Sequence, residues 1–204
     1  VQPVNLKGTC LYDAAYRARD AELVKAWQAK GITLGFYYYT GLAKLVPACF
    51  PRLLAEELKD RHRRGFTSLT SEVNPGWPWT GPMAYLQARL WWDINLDPDA
   101  LLNEYFGSLF GPAAEPMREL YDLFETIHLR PRGGGFLYEH YKYQQFRPYT
   151  ADDLARIRAL LAAAHAAVPG LGTGYGGHAG SEGQRVAYVG RGLQVFLDML
   201  EGKV

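Results

Sequence analysis

Glu72 is the residue best placed to do chemistry. It ends a short β-prone run, FTSLTSE, of a length that suits a strand. Asn74, Pro75, Gly76 and Pro78 follow and break regular structure, and Trp77 and Trp79 stand among them. In a β/α barrel, an acid at the C-terminal end of a strand lies on the face where active sites are built. Tryptophan rings beside such an acid suit the apolar face of a sugar. These residue types point to cleavage of glycosidic bonds, where one carboxyl group protonates the leaving oxygen and another acts as base or nucleophile. Glu72 can fill one of those roles or bind a hydroxyl. It can equally cap the loop or pair with an arginine.

The second carboxyl group is not evident. Asp13 and Asp93 are candidates, and each could equally be a cap or an ion-pair partner. Trp77 and Trp79 form the candidate sugar platform, set against plain packing of a loop over a barrel mouth. Tyr39 is the candidate contact from the run ITLGFYYY, because it is nearest the strand end. Tyr37, Tyr38 and Tyr39 cannot all point one way, since strand side chains alternate. Trp91 and Trp92 read as core residues of an apolar helix, with Trp92 near a domain junction.

These residues need a scaffold. Residues 32–39 lack clean alternation, which predicts a parallel strand buried on both faces. Pro51 suits the first turn of a helix carrying Leu53, Leu54 and Leu58. Gly65 stops that helix, and residues 66–71 form the next strand. Strand, helix, strand at this length is a βαβ unit with a right-handed crossover. Upstream, Asp20 is the expected cap of a helix ending near Lys30. Downstream, Gly81 and Pro82 open a helix bearing Met83, Leu86, Leu90 and Trp91.

After Asp93 the strand signal fades and four helices are expected. Leu101, Phe106, Leu120, Phe124, Leu161, Leu193 and Phe196 recur at helical spacing and should be buried. Thr150 with Asp153 makes an acidic capping box. Residues 169–183 read as a Gly-rich loop, and the aromatic stretch 136–149 resists assignment. The fold class is therefore α/β, with a β/α part over residues 1–93 and a helical domain over 94–204. Two or three strands are too few for an eight-stranded barrel of roughly 250 residues, so the front part reads as the last portion of a TIM-like barrel.

Composition narrows the function classes. The chain has 204 residues, 22 basic and 21 acidic side chains, and a net charge of +1, which offers no footprint for nucleic acid. No apolar run is long enough to cross a membrane, and no signal peptide is visible at the start. Val1 is not an initiating residue, which suggests a start set either by processing or by the choice of segment. Cys10 and Cys49 lack metal-ligand spacing, so no zinc is expected. Their pairing would fit a secreted or periplasmic protein, though spacing alone does not decide it. No phosphate or dinucleotide fingerprint is present, and no cofactor is expected.

Three segments carry a family resemblance. LGFYYYTG, then FPRLLAEELKDRHRRGFTSLTSEVNPGW, then YLQARLWWDINLDPDALLNEYFGSLFGPAAEPMRELYDLFE resembles domain-of-unknown-function family 4838. The tail segments YTADDLARIRALLAAAHAA and RVAYVGRGLQVFLDML are similar to the helical end of the same proteins. The resemblance implies a glycoside-hydrolase-like β/α barrel of mostly bacterial origin, present here as its C-terminal portion. It implies carbohydrate as the ligand, and a fold completed by a missing N-terminal part or another chain. It supplies no proven reaction, and a non-catalytic carbohydrate-binding or structural role is the alternative.

Overall fold

Leucine, phenylalanine and tyrosine at alternate positions of the run LGFYYYT build the centre of a small parallel sheet. The computed structural model describes residues 4–5, 14–40, 46–73, 76–130, 146–168 and 181–202. Strands β1 (Val4–Asn5), β2 (Leu34–Thr40) and β3 (Phe66–Val73) lie in the order β1-β2-β3, all parallel. Parallel neighbours need long connections. Helix α1 (Ala14–Gln28) supplies the first and helix α2 (Pro51–Arg63) the second. The βαβ unit expected from the sequence is thus present.

The expectation of two buried faces is met in part: on β2 Gly35 is buried and Tyr37 half-buried, while β3 departs from it. Leu34, Phe36 and Tyr38 are buried, but the opposite face of the sheet carries Tyr37, Ser68, Thr70 and Glu72, of which the last three are exposed. A parallel strand is buried on both faces only when layers cover both. Among the described residues the helices cover one. The strands pair Tyr37 with Thr70 and Tyr39 with Glu72, after an extra residue at Thr67 that shifts the register between Leu34 and Gly35.

Arg61 of α2 ties the sheet to its helices. Its guanidinium lies 4.7 Å from the ring centre of Phe36 and 5.2 Å from that of Phe66. It also pairs with Asp20 at 2.8 Å and with Glu57 at 3.6 Å. Asp20 is therefore not a cap. Helix α1 begins at Ala14, well before it, and Asp20 lies inside the helix as a buried ion-pair partner of Arg61 and Arg64.

Helix α3 (Trp77–Trp92) starts earlier than its composition predicts. The first four amides of a helix have no internal partner, so Pro78 costs nothing there. Pro82 does break a bond, because it has no N–H to offer the carbonyl of Pro78. Tyr121 repairs the gap by donating its hydroxyl proton to that carbonyl. Gly81 leaves room for the Tyr105 hydroxyl and the Trp77 ring, both of which would crowd a Cβ. Trp91 and Trp92 are not core: Trp92 is 94 % exposed and Trp91 44 %.

Four helices follow: α4 (Pro98–Phe110), α5 (Ala114–His128), α6 (Ala151–Ala167) and α7 (Glu182–Leu200), with a 3-10 turn over Gly111–Ala113. Asp97 caps α4 through the Asp99 amide. Thr150 with Asp153 and Ser181 with Gln184 form reciprocal capping boxes at α6 and α7. Helix α2 has no capping side chain of its own. Instead Glu125 of α5 accepts the Leu53 amide at 3.0 Å, filling that place from across the core. Leu101, Phe106, Leu120, Phe124, Leu193 and Phe196 are buried as expected, and Leu161 is half-buried. One apolar cluster runs from Leu34 on β2 to Leu197 on α7. The readings for residues 136–145 and 169–180, and those for Cys10 and Asp13, lie outside the described residues.

Candidate functional site

Glu72 occupies the last turn of pleat in β3, at the C-terminal end of a strand parallel to β2. Strand alternation puts its side chain on the uncovered face, where it is exposed. Tyr37 stands on the same face of the neighbouring strand and donates its hydroxyl proton to Glu72 Oε1. That bond orients the carboxyl group. Tyr37 was not among the candidates read from sequence. Alternation places Tyr37 and Tyr39 on one face, but only the parallel register shows that Tyr37 reaches the acid. Tyr39 is the backbone partner of Glu72 across the ladder, and its side chain lies outside the described residues.

The two tryptophans part company. Trp77 opens α3 and stays 44 % exposed, with its ring beside Gly81. Trp79 is half-buried and donates its indole N–H to the Gly192 carbonyl of α7 at 3.2 Å. Its polar edge is thereby spent on joining α3 to α7. A Cβ at Gly192 would come within 2.7 Å of Pro78, so the two helices meet at a glycine. Neither tryptophan lies on a loop.

Asp93 is not brought to Glu72. It terminates α3 and lines a cleft with Phe66, Thr67, Ser68 and Leu69, the first half of β3. At a rise of about 3.3 Å per residue, that leaves roughly 10–20 Å along the strand to Glu72. Asp93 instead accepts the amide and side-chain N–H groups of Asn95.

Other ionisable groups settle into structural roles. Burial pushes Glu125 above the usual carboxylate range, against the opposing pull of the Leu53 amide and Arg52. Arg52 itself bridges Asp99, Asp122 and Glu125. Burial raises the Cys49 thiol well above its ordinary value, which makes it a poor nucleophile. Among the described residues no cluster of three or more His, Cys, Asp or Glu side chains could hold a metal, and no helix is long and apolar enough to cross a membrane.

The family model for the domain of unknown function DUF4838 matches residues 7–122. The chain belongs to the DUF4838 family. The match takes in α1, β2, α2, β3, α3 and α4 and ends inside α5, so the whole neighbourhood of Glu72 lies within it. It begins upstream of the segments that carry the resemblance in sequence and stops short of α6 and α7. No curated protein and no solved structure matches the chain.

Proposed function

We propose that this DUF4838 chain is the C-terminal portion of a carbohydrate-active protein of glycoside-hydrolase type, with Glu72 as one of its functional carboxyl groups. Residues 1–93 then contribute strands to a TIM-like barrel, and residues 94–204 form a helical unit beside it. The observation that carries the reading is the placing of Glu72: the C-terminal end of a parallel strand, on the uncovered face, oriented by Tyr37. Trp77, exposed at the start of α3, is the ring available for a sugar to stack on. Tyr39 stays a proposed contact through its register with Glu72. Trp79 is the weaker platform, because its indole N–H is committed to Gly192. The carboxyl partner of Glu72 comes from residues beyond the described ones, either the N-terminal part of the same protein or another chain.

A non-catalytic sugar-binding role is the second reading, favoured by the distance of Asp93 from Glu72. A panel of aryl glycosides and uronides separates the two. Hydrolysis by the protein together with its N-terminal part, abolished by Glu72→Gln, supports the enzyme. Sugar binding that depends on Trp77 without any hydrolysis supports the binding module. Neither hydrolysis nor binding would sink both.

A further inference from the structure

We propose that the cleft between β3 and the end of α3 is a second sugar-binding site, separate from the Glu72 site and suited to a neutral pyranose ring. The cleft holds about 580 Å³, within the roughly 300–1,000 Å³ of small-molecule sites. Phe66, Leu69 and Leu90 give it an apolar side. Trp91 and Trp92, in the last turn of α3, also line it. Trp92 is almost wholly exposed and Trp91 nearly half exposed, so core packing accounts for neither ring. The two sites lie apart. Trp77 opens α3 and Trp92 closes it, and at about 1.5 Å per residue the helix sets them roughly 20 Å from each other. On β3 the cleft takes the first half of the strand, while Glu72 stands near the other end.

Polar groups with spare bonding capacity sit beside the indoles. Asp93 and Asn95 follow them in the chain and line the same cleft. Asp93 takes both N–H groups of Asn95 on Oδ1 alone. Among the described residues no partner claims Asp93 Oδ2 or Asn95 Oδ1. Each is an acceptor able to meet a hydroxyl proton, and Asn95 Nδ2 has a second N–H to donate. An aromatic face with a carboxylate and a carboxamide next to it is what a ring with one apolar face and a rim of hydroxyls requires.

Charge narrows the class of ligand further. Arg61 is the permanent cation of the lining, and it is buried and already paired with Asp20 and Glu57. A phosphate or carboxylate ligand therefore finds no free partner of fixed charge. The same guanidinium lies over the rings of Phe36 and Phe66, which takes those faces from a cationic ligand. A neutral ring remains, stacked on an indole and bonded at its rim. The cleft and the Glu72 site thus share a class of ligand and no residue.

The 204-residue chain has five tryptophans, whose indole N–H signals can be assigned by replacing one ring at a time and followed in proton–nitrogen correlation spectra. Cellobiose, xylobiose, maltose and chitobiose are each titrated to high millimolar concentration. At least one should shift the signals of Trp91 and Trp92. Asn95→Ala should weaken that binding by about threefold or more, and Trp92→Ala, read at Trp91, by about tenfold or more. Both side chains are exposed, so the fold should survive, which far-ultraviolet circular dichroism checks. Cyclohexanol, an apolar ring with a single hydroxyl, should shift the two signals far less at equal concentration. Shifts at Trp77 alone overturn the cleft site and leave the Glu72 reading in place. No shift at Trp91 or Trp92 with any of the sugars overturns it too, whatever hydrolysis shows about Glu72. Cyclohexanol as effective as the sugars, or binding indifferent to both substitutions, overturns the pyranose assignment.

Discussion

Tyr121 donates its hydroxyl proton to the carbonyl of Pro78, the oxygen that Pro82 deprives of its helical partner. Tyr121 is buried, so Tyr121→Phe leaves that carbonyl without a donor in a dry setting. The expected cost is about 1–3 kcal/mol in urea unfolding. In Pro82→Ala the new amide can serve the carbonyl, and the same tyrosine substitution should then cost measurably less. Equal costs in both backgrounds would show that the hydroxyl contributes nothing through this bond.

Phe124 is fully enclosed by the helical core. Phe124→Ala should lower stability by about 3–5 kcal/mol, a large part of a typical total of about 5–15 kcal/mol. A loss under about 1 kcal/mol would mean that the site collapses or admits water.

Two glycines of α7 should respond in opposite ways to alanine. At Gly192 the new Cβ would meet Pro78 at 2.7 Å, so overpacking should cost about 1–3 kcal/mol despite the better helix former. At Gly190 the nearest atom is His165 Nε2 at 3.5 Å, an ordinary contact. There the helix propensity should win, with a gain of up to about 1 kcal/mol. Thermal denaturation of both variants decides it; the same sign for both would refute the close approach of α3 and α7.

Arg130 holds the Asp153 carboxylate at about 2, below its ordinary 3.8, mainly through a side-chain hydrogen bond. A depressed folded value means that Asp153 adds stability above its unfolded pKa. That contribution fades as pH falls from about 4 through about 2. Arg130 is partly exposed, so solvent screening limits the effect to on the order of 1 kcal/mol. Asp153→Asn should flatten the stability profile in that acid window, although it also disturbs the cap of α6. Arg130→Met tests the pair alone. Wild-type steepness retained in Arg130→Met would refute the linkage.

Among the described residues no second carboxyl group is brought beside Glu72, so the isolated chain should show little or no hydrolysis of aryl glycosides or uronides. Activity of the 204-residue chain that disappears in Glu72→Gln would mean that the described residues and their neighbours already hold a complete site.

Much of the helical part was legible because its signals are local. Phe106, Leu120, Phe124 and Leu193 repeat at helical spacing, and Thr150 with Asp153 announces a helix start within four residues. The start of α3 was not legible. NPGWPWTGP reads as a breaker, yet Pro78 sits where a missing N–H is free, and Pro82 is rescued by a tyrosine far along the chain. Trp91 and Trp92 carry a core pattern, but the surface they would pack on is the open cleft. At the candidate site, Glu72 was visible as the acid at a strand end. Tyr37 was not, since its reach to Glu72 depends on the register between two strands that local sequence does not encode.

Arg61 has one more consequence, for the order in which the molecule comes apart. Helix α1 has a narrow apolar face: Val24 is enclosed and Trp27 half-buried against the core, while Leu23 is about half exposed. Among the described residues its polar hold on the remainder is Asp20 on Arg61 and Arg64, with Gln28 donating to the Arg64 carbonyl. An element fastened by a few polar contacts and a narrow apolar face opens at a lower free energy than the whole. A protease given the native chain should therefore nick α1 before it reaches α5, and Asp20→Asn should hasten that cut while leaving the rate within α5 unchanged.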